Sequence, residues 1–159
     1  MSTPAIHFLK LRRLRFEVIH YEHLEKGAEY AASATGFPLE RTVKTLVVRM
    51  DPQGNALVLV PGNRQLDLKR LARALDAKRA DLADPATAER LTGYHVGGIS
   101  PFGIKQALPV VMDEGILDSE EILINAGRRG TMLKMSPLDV CVALDCIRAV
   151  VSNRRDEKG

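Results

Sequence analysis

Val43–Pro61, VKTLVVRMDPQGNALVLVP, holds two apolar runs, Leu46–Met50 and Ala56–Val60, on either side of DPQGN. Each run has the length of a strand, and each is rich in Val and Leu. Pro and Gly in the connection punctuate a turn, so the pattern predicts a β-hairpin. A sheet is therefore expected at the centre of the chain.

Outward from the hairpin the pattern changes period. Asp67 is expected to cap a helix whose Leu68, Leu71, Ala72 and Leu75 recur at helical spacing. Asp84-Pro85 reads as an N-cap with proline at the first helical position, opening a short helix that ends at Gly93. On the N-terminal side, Pro4–Arg13 reads as a helix, Phe16–Tyr21 as a strand, and Ala28–Thr35 as a helix closed by Gly36. On the C-terminal side, Pro109–Met112, Ile122–Asn125, Thr131–Met135 and Ile147–Val151 read as strands. Between the last two, Ser136-Pro137-Leu138-Asp139 is expected to cap a helix running to Leu144. Strands and helices do not alternate regularly. The expected class is α+β: one domain, residues 1–152, with a mixed β-sheet flanked by short helices. Residues 153–159 are expected to form a polar tail.

The 159 residues suffice for one hydrophobic core. With no Trp and 4% aromatics, that core should be Val, Leu, Ile and Ala. Net charge is +3, which permits a nucleic-acid partner without requiring one. Cations do cluster, in KLRRLR (Lys10–Arg15), at Lys69, Arg70 and Arg73, and in the pairs Arg128–Arg129 and Arg154–Arg155. The spacing of Cys141 and Cys146 fits neither a zinc site nor a redox motif, and Cys141 lies on an apolar helix as a core residue. No signal-peptide pattern and no 18-residue apolar stretch occurs, so a cytoplasmic protein without a membrane span is expected.

Standard catalytic sets are missing. HYEH places His20 and His23 three apart without the remaining positions of a helical zinc site, so no metal is expected, and no cofactor. Neither GxSxG nor a Walker loop is present. What stands out is HVGGISPFG, His95–Gly103, with three glycines and a proline among apolar residues. Gly97 and Gly98 let the backbone turn sharply, and its N–H groups can form a nest for an anion or a carbonyl oxygen. A structural turn is the other reading. Ser100 has no base evident in the sequence. Lys44, at the start of an apolar strand, either extends to solvent or meets an anion in a cleft, and the pattern favours solvent.

VKTLVV (43–48), QLDLKRLARAL (65–75), ADPATAERLTGYHVGGISPFG (83–103) and AGRRG (126–130), in this order and spacing, resemble the YbaK/EbsC family of aminoacyl-tRNA deacylases. These are free-standing relatives of the editing domain of bacterial prolyl-tRNA synthetases. The likeness runs from about Pro4 to Val151. It implies a trans-editing hydrolase that removes a wrong amino acid from tRNA, cysteine from Cys-tRNA(Pro) in the YbaK type and alanine or other small residues in other branches. Synthetase pockets need such help because small apolar differences are worth only about 1–3 kcal/mol. The resemblance implies that Lys44 holds the acceptor end at the pocket mouth. It implies that the Gly97–Gly98–Ile99–Ser100–Pro101 loop holds the ester carbonyl, with Gly98 and Ser100 at its centre. Tyr21, Asn125 and Gly127 are then expected near the substrate, and Arg128 or Arg129 on the RNA. Where the YbaK type reads Ser-Gly-Gly before the basic pair, this chain has Asn125-Ala126-Gly127, which leaves the amino-acid preference open. In the YbaK type the substrate's own thiol attacks the ester, which accounts for a missing triad; an alanine-removing branch must position a water. The implied partners are the acceptor end of mischarged tRNA(Pro) and prolyl-tRNA synthetase. Other readings are a tRNA- or synthetase-binding module without catalysis, and a small-molecule hydrolase. Oligomeric state is not legible.

Overall fold

A computed structural model describes residues 2–154. In chain order the elements are α1 (Pro4–Leu11), β1 (Glu17–His20), α2 (Ala28–Thr35), β2 (Val43–Asp51), β3 (Gly54–Pro61), β4 (Arg64–Leu66), α3 (Leu68–Ala74) and β5 (Arg79–Leu82). Then come α4 (Pro85–Thr92), β6 (Val110–Asp113), β7 (Ile122–Arg128), β8 (Thr131–Met135), α5 (Pro137–Leu144), β9 (Ile147–Ala149) and β10 (Ser152–Arg154).

The hairpin organises everything else. Strands β2 and β3 pair antiparallel from Val43↔Pro61 to Met50↔Gly54, beyond both apolar runs, because a ladder bonds backbone groups whatever the side chain. Strand β3 then pairs parallel with β6, and β6 parallel with β9, while β5 joins β2 antiparallel. The result is a mixed five-stranded sheet, β5-β2-β3-β6-β9. Ala56 to Val60 of the central β3 are fully buried, since both faces of the sheet are covered. Alternation along β2 sends Val43 and Val47 to a core shared with α1, α4, β7 and β8. Val48 and Met50 go to the opposite core, under α3.

The single sheet expected from sequence is in fact accompanied by two smaller antiparallel ones, β1-β8-β7 and β10-β4. Strands β4, β5 and β10 escape sequence reading because Arg-Gln-Leu, Arg-Ala-Asp-Leu and Ser-Asn-Arg carry almost no apolar pattern. The last of these corrects the tail. Asn153 and Arg154 are not frayed; they pair with Gln65 and Arg64, and the Asn153 amide donates to Asp67 Oδ2 at 3.0 Å. Residues 155–159, the rest of the expected tail, lie outside the described residues.

Capping follows the sequence at two helices. Asp67 Oδ1 accepts from the Lys69 and Arg70 N–H groups, and Asp84 Oδ1 from Thr87 N–H at 2.7 Å. Gly36 and Gly93 end α2 and α4 in the left-handed conformation. Ser136 precedes α5, but its hydroxyl makes no capping bond.

Candidate active site

Strand β5 pairs with only the second half of β2. The Ala83 N–H makes the last bond, to the Val47 carbonyl at 2.9 Å, and the chain then turns away into α4. The start of β2 is left as an open edge facing β7 and β8, and a cavity of about 370 Å³ fills the gap. Its walls are mostly aliphatic, with Ala31, Val43, Val47, Ala88, Ile99 and Met132 among them. Four of the lining residues are polar, Tyr21, Lys44, Thr45 and Asn125.

Lys44 is neither free in solvent nor in the aliphatic core. It is half-buried on the face of β2 opposite Val43 and Val47, and its Nζ donates to the Arg64 carbonyl of β4 at 2.5 Å. Burial lowers its pKa, so the ammonium form is held less firmly than on an exposed lysine. Thr45 points the other way, and its buried Oγ1 has no hydrogen-bond partner among the described residues. A buried polar atom without a partner costs stability and calls for an explanation, and a ligand is one. Tyr21 stacks at a tilt on Tyr30, with ring centroids 6.2 Å apart.

The glycine loop separates this inner cavity from an outer groove of about 620 Å³. Val96 lines both, Gly97 and Ile99 the inner, and Gly98 the outer. Lys26, Arg128 and Arg129 make the outer groove basic, and among the described residues Glu89 is the one carboxylate in its lining. The loop is tightly seated. Gly97 has φ +94°, and a Cβ there would lie 2.5 Å from Arg129 Nε. A Cβ on Gly98 would meet the backbone of Arg128 and Arg129 at 3.0 Å. The Gly98 N–H donates to the His95 carbonyl at 2.9 Å, closing the turn. Ser100 and Pro101 are buried behind the loop and line neither space, and the Ser100 hydroxyl accepts from Phe102 N–H at 3.3 Å. Among the described residues no group of three His, Cys, Asp or Glu is placed to hold a metal ion.

Residues 23–141 match the aminoacyl-tRNA editing domain profile. The chain belongs to the aminoacyl-tRNA editing domain family. As a member it is a hydrolase of the ester that joins an amino acid to tRNA, and the resemblance to YbaK/EbsC proteins holds. EbsC of Enterococcus faecalis, provisionally named a Cys-tRNA(Pro)/Cys-tRNA(Cys) deacylase, is 35% identical over 140 residues, 86% of this chain and 84% of EbsC. The multifunctional Ser/Thr-tRNA deacylase ProXp-y of Escherichia coli is 33% identical over 116 residues, 70% of this chain and 69% of that protein. A solved structure described as a candidate trans-editing enzyme for prolyl-tRNA synthetase superposes with a TM-score of 0.85 at 26% identity, covering 96% of this chain and 99% of the other. Among the described residues no helix is long and apolar enough to cross a membrane.

The editing domain brings Tyr21, Lys44, Gly97, Ile99 and Asn125 around the inner cavity, and Gly98, Gly127, Arg128 and Arg129 around the outer groove. Ser100 and Pro101 stand apart from both. Sequence reading missed Thr45. A lone Thr at a core-facing position of an aliphatic strand was the available signal.

Proposed function

We propose that this editing domain deacylates Cys-tRNA(Pro) in trans. The inner cavity takes the aminoacyl group and the basic outer groove takes the acceptor end. The observation that carries this reading is the composition of the inner cavity. Among the described residues its lining contains Val96, Gly97 and Ile99 of the loop, with Lys44, Thr45, Tyr21 and Asn125, but no Asp, Glu, His, Cys or Ser. A site that offers no carboxylate, imidazole, thiol or serine, the commonest bases and nucleophiles, suits a substrate that supplies its own nucleophile. The cysteine thiolate adds to its own carbonyl carbon to give a tetrahedral oxyanion; as this collapses, the bond to the ribose oxygen breaks, that oxygen takes the proton released by the thiol, and water then opens the cyclic thioester to free cysteine. Well-oriented intramolecular attack reaches effective molarities of about 10⁵–10⁸ M, so orientation is what the protein must supply.

The carbonyl oxygen needs donors. The Gly98 N–H is engaged with His95, whereas the Gly97 and Ile99 N–H groups have no partner among the described residues, and both residues line the cavity. These two N–H groups are the better assignment for stabilising the tetrahedral oxyanion. Lys44, at the rim, holds the terminal ribose or phosphate by charge. A second reading, removal of alanine or another small residue by a bound water, is favoured by the Thr45 hydroxyl, which has no partner among the described residues and can hold that water.

The test is single-turnover deacylation of cysteinyl-, alanyl- and S-methylcysteinyl-tRNA(Pro), with a Lys44→Ala control. Fast loss of cysteine, abolished by methylation and slowed in the control, supports the substrate-thiol mechanism. Equal release of alanine, or indifference to methylation, selects the positioned water. Release from none of them sinks both.

A further inference from the structure

We infer that Arg129, with Glu89 and Asn125, is a clamp that positions the glycine loop, and that Arg129 is not a phosphate ligand. The inference rests on the reading of the loop as the carbonyl-binding element. Each partner takes a different backbone group of Val96 or Gly97. Glu89 Oε2, from α4, accepts the Val96 N–H at 2.8 Å. The Arg129 guanidinium forks onto the Val96 carbonyl, Nε at 3.2 Å and Nη2 at 3.0 Å. Asn125 Nδ2 donates to the Gly97 carbonyl at 3.2 Å. With the Gly98–His95 bond, every polar backbone group from the His95 carbonyl to the Gly98 N–H is engaged except the Gly97 N–H. The clamp thus fixes the peptides on either side of Gly97 and leaves its N–H free to meet a substrate.

The clamp is built as a unit. Asn125 Oδ1 accepts the Gly127 and Arg128 N–H groups at 2.8 and 3.2 Å, so one side chain both shapes the β7–β8 turn that presents Arg129 and holds the loop that Arg129 covers. The absent side chain at Gly97 makes room for Arg129 Nε. One edge of the guanidinium is committed to the Val96 carbonyl, and lysine cannot reproduce that fork although it keeps the charge.

That difference gives the test. Arg129→Lys, Arg129→Ala, Glu89→Ala and Glu89→Gln are compared with the wild type in Cys-tRNA(Pro) and Ala-tRNA(Pro) deacylation over a salt series. Backbone displacement near 1 Å costs about 10²-fold, so kcat should fall by about that factor in Arg129→Lys and Glu89→Ala. KM and its salt slope should not move, and Glu89→Gln, which keeps an acceptor oxygen, should recover most of the rate. Amide exchange of Val96 and Gly98, read without substrate, should accelerate about tenfold in Arg129→Lys and Glu89→Ala. Retained kcat in Arg129→Lys overturns the clamp. So does a KM in Arg129→Ala whose salt slope falls by about 0.7, the signature of one lost single-strand phosphate contact. If the wild type releases no amino acid, the proposed function fails while exchange still decides the clamp: unchanged Val96 and Gly98 rates refute it.

Discussion

Tyr94→Phe isolates a strut beneath the active loop. Tyr94 follows Gly93 at the end of α4, is 4% exposed, and its hydroxyl donates to the Phe102 carbonyl at 2.5 Å. That bond ties the two ends of the glycine loop together. Its ring also lies where a Cβ of Gly127 would stand, 2.6 Å from Cε1. The Phe variant keeps the ring and its packing. It loses one hydrogen bond and leaves a buried acceptor unpaired, at a cost of about 1–3 kcal/mol. For a chain of this size each kcal/mol lowers Tm by about 2–4 °C, so the fall should be roughly 2–12 °C. The hydroxyl adds a signature in pH. Burial pushes its pKa up to about 12. A folded pKa above the ordinary value of about 10 means that its contribution is complete below pH 10. It is lost as pH rises through 12, at up to about 1.4 kcal/mol per pH unit. The stability gap between wild type and Tyr94→Phe should therefore narrow between pH 10 and 12. Urea denaturation followed by circular dichroism, at pH 8 and in steps to pH 12, reads both effects. An unchanged midpoint at pH 8, or a gap constant across the alkaline range, would refute the reasoning.

Gly97→Ala should lower kcat more than tenfold, because left-handed backbone costs about 1–2 kcal/mol for an L-residue and the new methyl displaces Arg129. Gly36→Ala, equally left-handed but with open space around its Cβ, should lose stability alone; deacylation and Tm measured on both variants separate the two effects. Thr45→Val removes a buried hydroxyl that has no partner among the described residues, so Tm should hold or rise while deacylation slows; a lower Tm with full activity would make Thr45 purely structural. Asp113→Ala should cost about 1–3 kcal/mol in urea denaturation, because Asp113 Oδ1 accepts the buried Val151 N–H at 2.9 Å and leads the chain into β10.

Local chemistry made much of this protein legible from its sequence. The hairpin announced itself through two aliphatic runs around DPQGN, and α3 and α4 through the aspartates that cap them. Those signals act within a few residues, so one sequence suffices to read them. GGISPFG was readable as a loop made to approach something closely, but not what it approaches. Pairing partners were hidden wherever strands were short and polar, as in β4, β5 and β10, where the neighbouring strand and not the side chains selects the conformation. The roles of single polar residues were hidden for the same reason. Arg129 reads as a surface cation until the β7–β8 turn lays it on the Val96 carbonyl. Lys44 reads as solvent-facing until β4, held by the C-terminal strand, presents the Arg64 carbonyl to it. Sequence determined which backbone segments can turn, pair and cap. Tertiary structure alone decided which hydrogen-bonding groups are consumed within the fold and which remain for a substrate, because that choice depends on contacts between residues far apart in the chain.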